Sequence, residues 1–192
     1  MTTAAVVLAA GGGRRYGMPK ALVEYEGSLL VERAVRTARA ACDVVLVVLG
    51  ARAVDVWRTA DLTGATVLAN ADWESGMASS LRTGLDGLRA FPGTVDAALV
   101  TLVDMPGLTP GALAAVAAHA APDVLATATY EGVRGHPVLL GRDHWAGVAE
   151  SATGDEGARR YLAAHDVVEV DCTGLADPVD LDVPPPGVAS TP

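Results

Sequence analysis

Ala4-Ala5-Val6-Val7-Leu8-Ala9-Ala10 runs without a polar residue straight into Gly11-Gly12-Gly13-Arg14-Arg15-Tyr16-Gly17-Met18-Pro19-Lys20. An apolar run this short and without alternation reads as a strand buried on both faces, as in a parallel sheet covered by helices. The ten residues that follow hold four glycines and three cations. Glycine lets backbone N–H groups converge on an anion because no Cβ stands in the way, and Arg or Lys adds charge on a flexible stem; the composition is that of a phosphate-binding loop. It is not a P-loop, since Met18 follows Gly17 and Ala21 follows Lys20 where Lys-Ser or Lys-Thr is needed. Nor is it a dinucleotide fingerprint: Tyr16 stands where glycine is required, Pro19 interrupts the helix, and Leu49 runs into Gly50 with no acid.

Outward from this loop, residues 43–49 and 95–103 repeat the buried-strand pattern, with 65–69 a weaker instance. Helical spacing lies between them. Ser28 is placed to cap a helix carrying Leu30, Ala34 and Ala38 on one face, 76–90 repeats Leu81, Leu85 and Leu88, and Thr109-Pro110 opens a helix continuing to Ala121. Residues 123–130 and 136–140 then read as strands joined by the Tyr130–Gly135 loop, an antiparallel insertion. A last helix over 155–165 precedes a strand at 167–171, and Pro184-Pro185-Pro186 ends regular structure. The expectation is one domain over 1–192, a three-layer α/β/α sandwich with a mixed, mostly parallel central sheet. In such folds ligands sit beyond the carboxyl ends of strands, which directs attention to the loops after Ala10, Asn70 and Val103.

Composition narrows the function classes. With 192 residues, 51% of them hydrophobic, the chain can bury a sizeable core. A formal charge of −9 repels a phosphate polymer, so nucleic acid is not an expected partner. The longest apolar runs fall far short of a membrane span, which takes roughly 18 residues, and no signal-peptide pattern opens the chain. Cys42 and Cys172 stand apart from each other, outside any CxxC pattern, and a reduced cytoplasm is the expected location.

Several further residues carry chemistry. Asp104 ends the apolar run LVTLVDMP, where a carboxylate beside the glycine loop would hold magnesium bridging nucleotide phosphates; it is equally a turn residue before Pro106. Asp180 and Asp182 point the same way in an extended chain, so either could complete a metal site. Gly76 and Ser80 sit where a helix begins, able to cap it or to hydrogen-bond a base or ribose. Asp155, Gly154 and Gly157 precede a helix in the same ambiguous way, and His136 before Pro137 is a lone histidine in no metal-binding pair.

The first loop resembles the LAAGxSxRxGxxK signature of nucleotidyltransferases with the GT-A-like, Rossmann-like fold, with Leu8, Ala9, Ala10, Gly11, Arg15, Gly17 and Lys20 in register and Gly13 in place of the usual serine. WESGMASSLRTGL from Trp73 to Leu85 resembles the GMxxSL segment of the molybdenum cofactor cytidylyltransferase branch, where this loop closes over the nucleobase. GHPVL at 135–139 and GDEGAR at 154–159 resemble further segments of that branch, and Asp180-Leu181-Asp182 resembles the aspartates of its DIDTPED element. The chain thus resembles the MocA-type, MobA-like NTP transferases. The resemblance implies transfer of a cytidylyl group from CTP to the phosphate of a molybdenum-bearing molybdopterin, with release of pyrophosphate. It implies a nucleotide site of Leu8, Ala9, Ala10, Gly11, Gly12, Gly13, Gly76 and Ser80, with Arg15 and Lys20 on the departing pyrophosphate. Mg2+ would sit on Asp104 and Asp182, and the acceptor on His136, Gly154 and Asp155. Ala10 favours CTP, because guanylyl enzymes tend to LAGG there. Another phosphorylated acceptor, GTP as donor, and a cofactor-binding chaperone without transfer activity are the alternatives, and transient contact with a molybdoenzyme or its chaperone would follow from the product.

Overall fold

The computed structural model describes residues 1–91 and 93–181. The first strand, β1 (Thr3–Ala9), is buried along almost its whole length and feeds two cores at once. Ala5, Val7 and Ala9 face one apolar cluster, and Ala4, Val6 and Leu8 face the other, the period of two that a strand between helix layers requires. A short ribbon of β2 (Glu24–Tyr25) and β3 (Ser28–Leu29) leads into α1 (Leu30–Arg39), followed by β4 (Val44–Leu49), α2 (Ala53–Thr59), β5 (Thr66–Ala69) and α3 (Met77–Arg89). Then come β6 (Ala97–Leu102), α4 (Pro110–Ala117), β7 (Leu125–Tyr130), β8 (Val133–Gly141), α5 (Trp145–Ser151), α6 (Arg159–Ala163) and β9 (Val168–Asp171). Helices α1, α2 and α4 supply Val35, Val56 and Leu113 to one core, while α3, α5 and α6 supply Leu85, Val148 and Leu162 to the other. The three-layer expectation holds.

The central sheet has seven strands in the order β5-β4-β1-β6-β8-β7-β9. β8 runs antiparallel to both of its neighbours, and the remaining pairings are parallel. The chain lays β4 and β5 to one side of β1 and then returns to place β6 on the other. The loops leaving β1 and β6 therefore diverge and leave a crevice between them. No helix among the described residues is long and apolar enough to cross a membrane.

Several local expectations need correction. Ser28 does not cap α1: it lies in β3, paired with Tyr25, and its hydroxyl accepts a hydrogen bond from Arg36 at 2.8 Å. The helix start is instead tied by the Glu32 carboxylate, which accepts from Leu29 N at 3.0 Å. Thr109 does cap α4, accepting from Ala112 N at 3.2 Å, but the helix stops at Ala117. The six-residue loop at 130–135 contracts to a tight turn at Glu131-Gly132, both at positive φ, and β8 begins at Val133. The helix expected over 155–165 is only the short α6; residues 154–158 are turns instead, for a reason given below. The helices α2 and α5 had no counterpart in the sequence reading. The proline tail and Asp182 lie outside the described residues.

Candidate active site

The crevice between β1 and β6 opens into a cavity of about 530 Å³, lined by the glycine loop through Arg15, by Trp73–Met77 and Ser80, and by Leu102–Asp104. The three loops singled out from sequence meet here. Gly13 closes the first: its carbonyl accepts from Tyr16 N at 2.9 Å and Gly17 N at 2.8 Å. It does so at φ +61°, and a Cβ there would run into the Met18 carbonyl oxygen. Glycine in place of serine is thus required by this loop's path. Arg14 and Arg15 stand exposed at the cavity edge, and Tyr16 is buried beneath them.

Lys20 crosses the crevice. Its Nζ donates to Asp104 Oδ2 at 2.7 Å, with both side chains largely withdrawn from solvent at 16% and 20% exposure. Asp104 is held in place from behind as well, because Leu181 N donates to its carbonyl at 2.8 Å and Asp177 N donates to Gly107 O at 3.2 Å. The chain beyond β9 therefore returns to the end of β6. This brings Asp180 to the neighbouring cavity and leaves Asp182 just outside the described residues. Among the described residues no three His, Cys, Asp or Glu side chains gather into a cage. A hard cation that takes one or two carboxylates and completes its shell with phosphates and water fits Asp104; a metal needing an all-protein cage does not.

The second loop is built on Asn70. Its buried amide donates to Ser79 Oγ at 2.8 Å and Ser80 Oγ at 3.0 Å, while its Oδ1 accepts from Asp72 N at 2.9 Å. One side chain thereby ties the end of β5 to the first turn of α3. The N–H groups freed at that turn are not left to solvent: Ala78 N donates to Gly154 O at 2.9 Å and Met77 N to Asp155 Oδ1 at 3.2 Å. Gly154 and Asp155, which the resemblance places on the acceptor, are thus stapled to the start of the helix that carries Gly76 and Ser80. This tether accounts for the turns at 154–158, where the sequence suggested helix.

A second cavity of about 600 Å³ lies alongside, sharing Leu8, Met77, Leu102 and Asp155 with the first. Its walls are largely aliphatic, among them Leu81, Val100, Val138, Leu140 and Leu162; Arg134, His136 and Arg159 line it together with the carboxylates of Asp155, Glu156 and Asp180. His136 Nδ1 lies 3.3 Å from Val100 O. Burial holds its imidazole below the ordinary value of 6.5, partly offset by the Val100 carbonyl and the charge of Asp104. Tyr130 donates to His136 O at 2.8 Å, and burial pushes its phenol up to about 12, so it remains a neutral donor. Asn70, Trp73, Tyr130 and Arg159 were not singled out from the sequence. Trp73 was visible inside the WESGM segment, but nothing local says what its ring covers.

Comparison with known proteins places this geometry. The chain is 36% identical over 188 residues to nicotine blue oxidoreductase of Paenarthrobacter nicotinovorans, an alignment covering 92% of this chain and 90% of that protein. The crystal structure of an rv0371c homologue from Mycobacterium sp. strain JC1 superposes with a TM-score of 0.81 at 29% identity, over 94% of this chain and 90% of that one. The manganese complex of Rv0371C from Mycobacterium tuberculosis H37Rv superposes with a TM-score of 0.79 at 25% identity, over 95% and 94%. Residues 5–170 match the MobA-like NTP transferase domain, and with the switch-point crevice and the mostly parallel sheet they show that the chain belongs to the MobA-like NTP transferase family of nucleotidyltransferases.

Proposed function

We propose that the protein transfers a cytidylyl group from CTP to the terminal phosphate of a molybdopterin-type acceptor in the cytoplasm, releasing pyrophosphate. The observation that carries this reading is the meeting of the glycine loop with the Lys20–Asp104 pair at the switch point, beside a second cavity large enough for an acceptor. An anionic phosphate must attack an anionic α-phosphorus, so neutralising charge and aligning the reactants matter more than a strong base. Backbone N–H groups of residues 11–13 orient the triphosphate. Arg15 and Lys20 draw negative charge from the departing pyrophosphate, Lys20 turning from Asp104 towards phosphate as it does so. The acceptor phosphate is already ionised and needs no deprotonation. His136, held neutral, offers a ring nitrogen to the acceptor without bringing charge. Asp104 and the proposed Asp182 would hold magnesium, which would supply the remaining charge neutralisation; the manganese complex of the mycobacterial relative supports a divalent ion in this fold.

Pyrophosphate release by the purified protein with molybdopterin and either CTP or GTP tests this. Release with CTP in excess over GTP is expected; release with GTP alone overturns the cytidylyl assignment, and release only with a different phosphorylated acceptor overturns the molybdopterin one. A second reading, oxidoreduction, is favoured by the identity to nicotine blue oxidoreductase. Oxidation of reduced nicotinamide by the protein in the presence of nicotine blue, without pyrophosphate release under any donor, would establish it instead.

A further inference from the structure

Trp73 occupies a position that two glycines make possible. A Cβ on Gly12 would come within 2.9 Å of its Cζ3 and 3.1 Å of its Cη2, and a Cβ on Gly50 within 2.5 Å of its Cβ. Those glycines follow β1 and β4, so the indole lies across the carboxyl ends of two neighbouring strands, with the Cζ3–Cη2 edge of its six-membered ring turned to Gly12. It is half-buried and lines the cavity that holds the glycine loop. The other tryptophans differ: Trp57 is exposed on α2, and Trp145 is buried with its N–H donating to Leu140 O at 2.8 Å. Residues 72–75 keep Trp73 at the cavity through Ser75, whose hydroxyl and N–H both bond to the Asp72 carbonyl. The cations of the first loop and Lys20 line the same cavity and offer it a phosphate end.

We propose that Trp73 is the stacking wall for the nucleobase, so that the protein's grip on a nucleoside triphosphate, beyond its grip on the triphosphate alone, comes mainly from this ring. The inference rests on the nucleotidyltransferase reading and assigns Gly12 a different part in it: Gly12 is small so that the indole can close down on it, and phosphate contact falls to its neighbours. Every base presents a π-face, so a stacking wall strengthens all nucleotides with little regard to base identity. Choice among bases is then left to the polar groups near Ser80.

The test compares equilibrium binding of CTP, GTP and inorganic tripolyphosphate, each with magnesium, to wild type, Trp73→Ala and Trp73→Phe. Trp73→Ala should weaken CTP and GTP by roughly tenfold to a hundredfold and leave tripolyphosphate unchanged, with Trp73→Phe recovering most of the loss. CTP should quench the tryptophan emission of wild type and of Trp57→Phe but not that of Trp73→Phe. Unchanged CTP affinity in Trp73→Ala overturns the inference. A parallel loss of tripolyphosphate binding also overturns it, because the ring would then be supporting the loop rather than touching a base. Wild type that binds tripolyphosphate but neither nucleotide refutes the stacking wall alone, and wild type that binds none of the three refutes the nucleotide reading beneath it.

Discussion

The two cavities stand side by side and are made of different material. The first combines a stretch of glycine backbone with charged side chains and Trp73: the glycine loop with Arg14, Arg15 and Lys20, the first turn of α3, and the end of β6 with Asp104. The second is walled by aliphatic side chains from β6, β8, α3 and α6, with charge at separate points. Glycine backbone and cations suit the triphosphate that every nucleoside triphosphate shares, and substitution in the glycine loop disrupts that part more readily than it retunes it. A wall of side chains can be exchanged one residue at a time, which suits the half of a two-substrate site that sets the acceptor.

That contrast can be broken in order of expected effect. Asp104→Asn keeps size and hydrogen bonding but removes the charge that faces Lys20 and is proposed to hold a cation; turnover in the pyrophosphate assay should fall by at least about a hundredfold while thermal melting stays close to wild type. Gly13→Ser restores the residue usual in the resembling signature, yet at φ +61° it costs about 1–2 kcal/mol in backbone alone and collides with Met18. The dissociation constant for CTP, read by calorimetry, should rise about tenfold or more. Arg159→Ala acts on the other cavity and sharpens the contrast: the KM for the acceptor should rise severalfold while the KM for CTP does not move.

The smallest effect concerns pH. The folded pKa of His136 lies below 6.5, so between those two values the unfolded chain binds the extra proton and stability rises with pH. This contribution is neutral above 6.5 and destabilises progressively as pH falls through that value towards the folded pKa. Thermal melting from about pH 7.5 down to about pH 5.5 should therefore drop more in wild type than in His136→Gln, the difference reporting burial of this imidazole beside the second cavity. Identical slopes would return His136 to solvent.

The sheet's centre was readable because β1, β4 and β6 are short apolar runs without alternation, a pattern with few other meanings. The helices α2 and α5 were not: each has seven residues, and neither start is marked by a side-chain cap. The β7–β8 hairpin was placed but its turn overestimated, because Arg134 and Gly135 look like loop residues and owe their strand to pairing with β7. At the site, the glycine loop and Asp104 announced themselves through local composition. The Lys20–Asp104 pair spans 84 positions and the Met77–Asp155 bond spans 78, separations at which no local pattern carries information. Asn70 was seen only as the end of a strand, since its part depends on two serines that the fold brings to it.

The return of Leu181 to the Asp104 carbonyl has a consequence for how the protein is made. A ribosome delivers the glycine loop first, yet Asp104 comes to face it only once β6 has emerged and docked beside β1, with most of one helix layer already folded between them. The last brace behind Asp104 then waits for the chain beyond β9. Contacts this distant in sequence form late, because the intervening segment must lose its freedom before they can be made. A nascent or truncated chain that stops short of Leu181 therefore carries the phosphate loop in its finished sequence but lacks one support of its central carboxylate, so the nucleotide site matures from the carboxyl end backwards although its motif is written at the amino end.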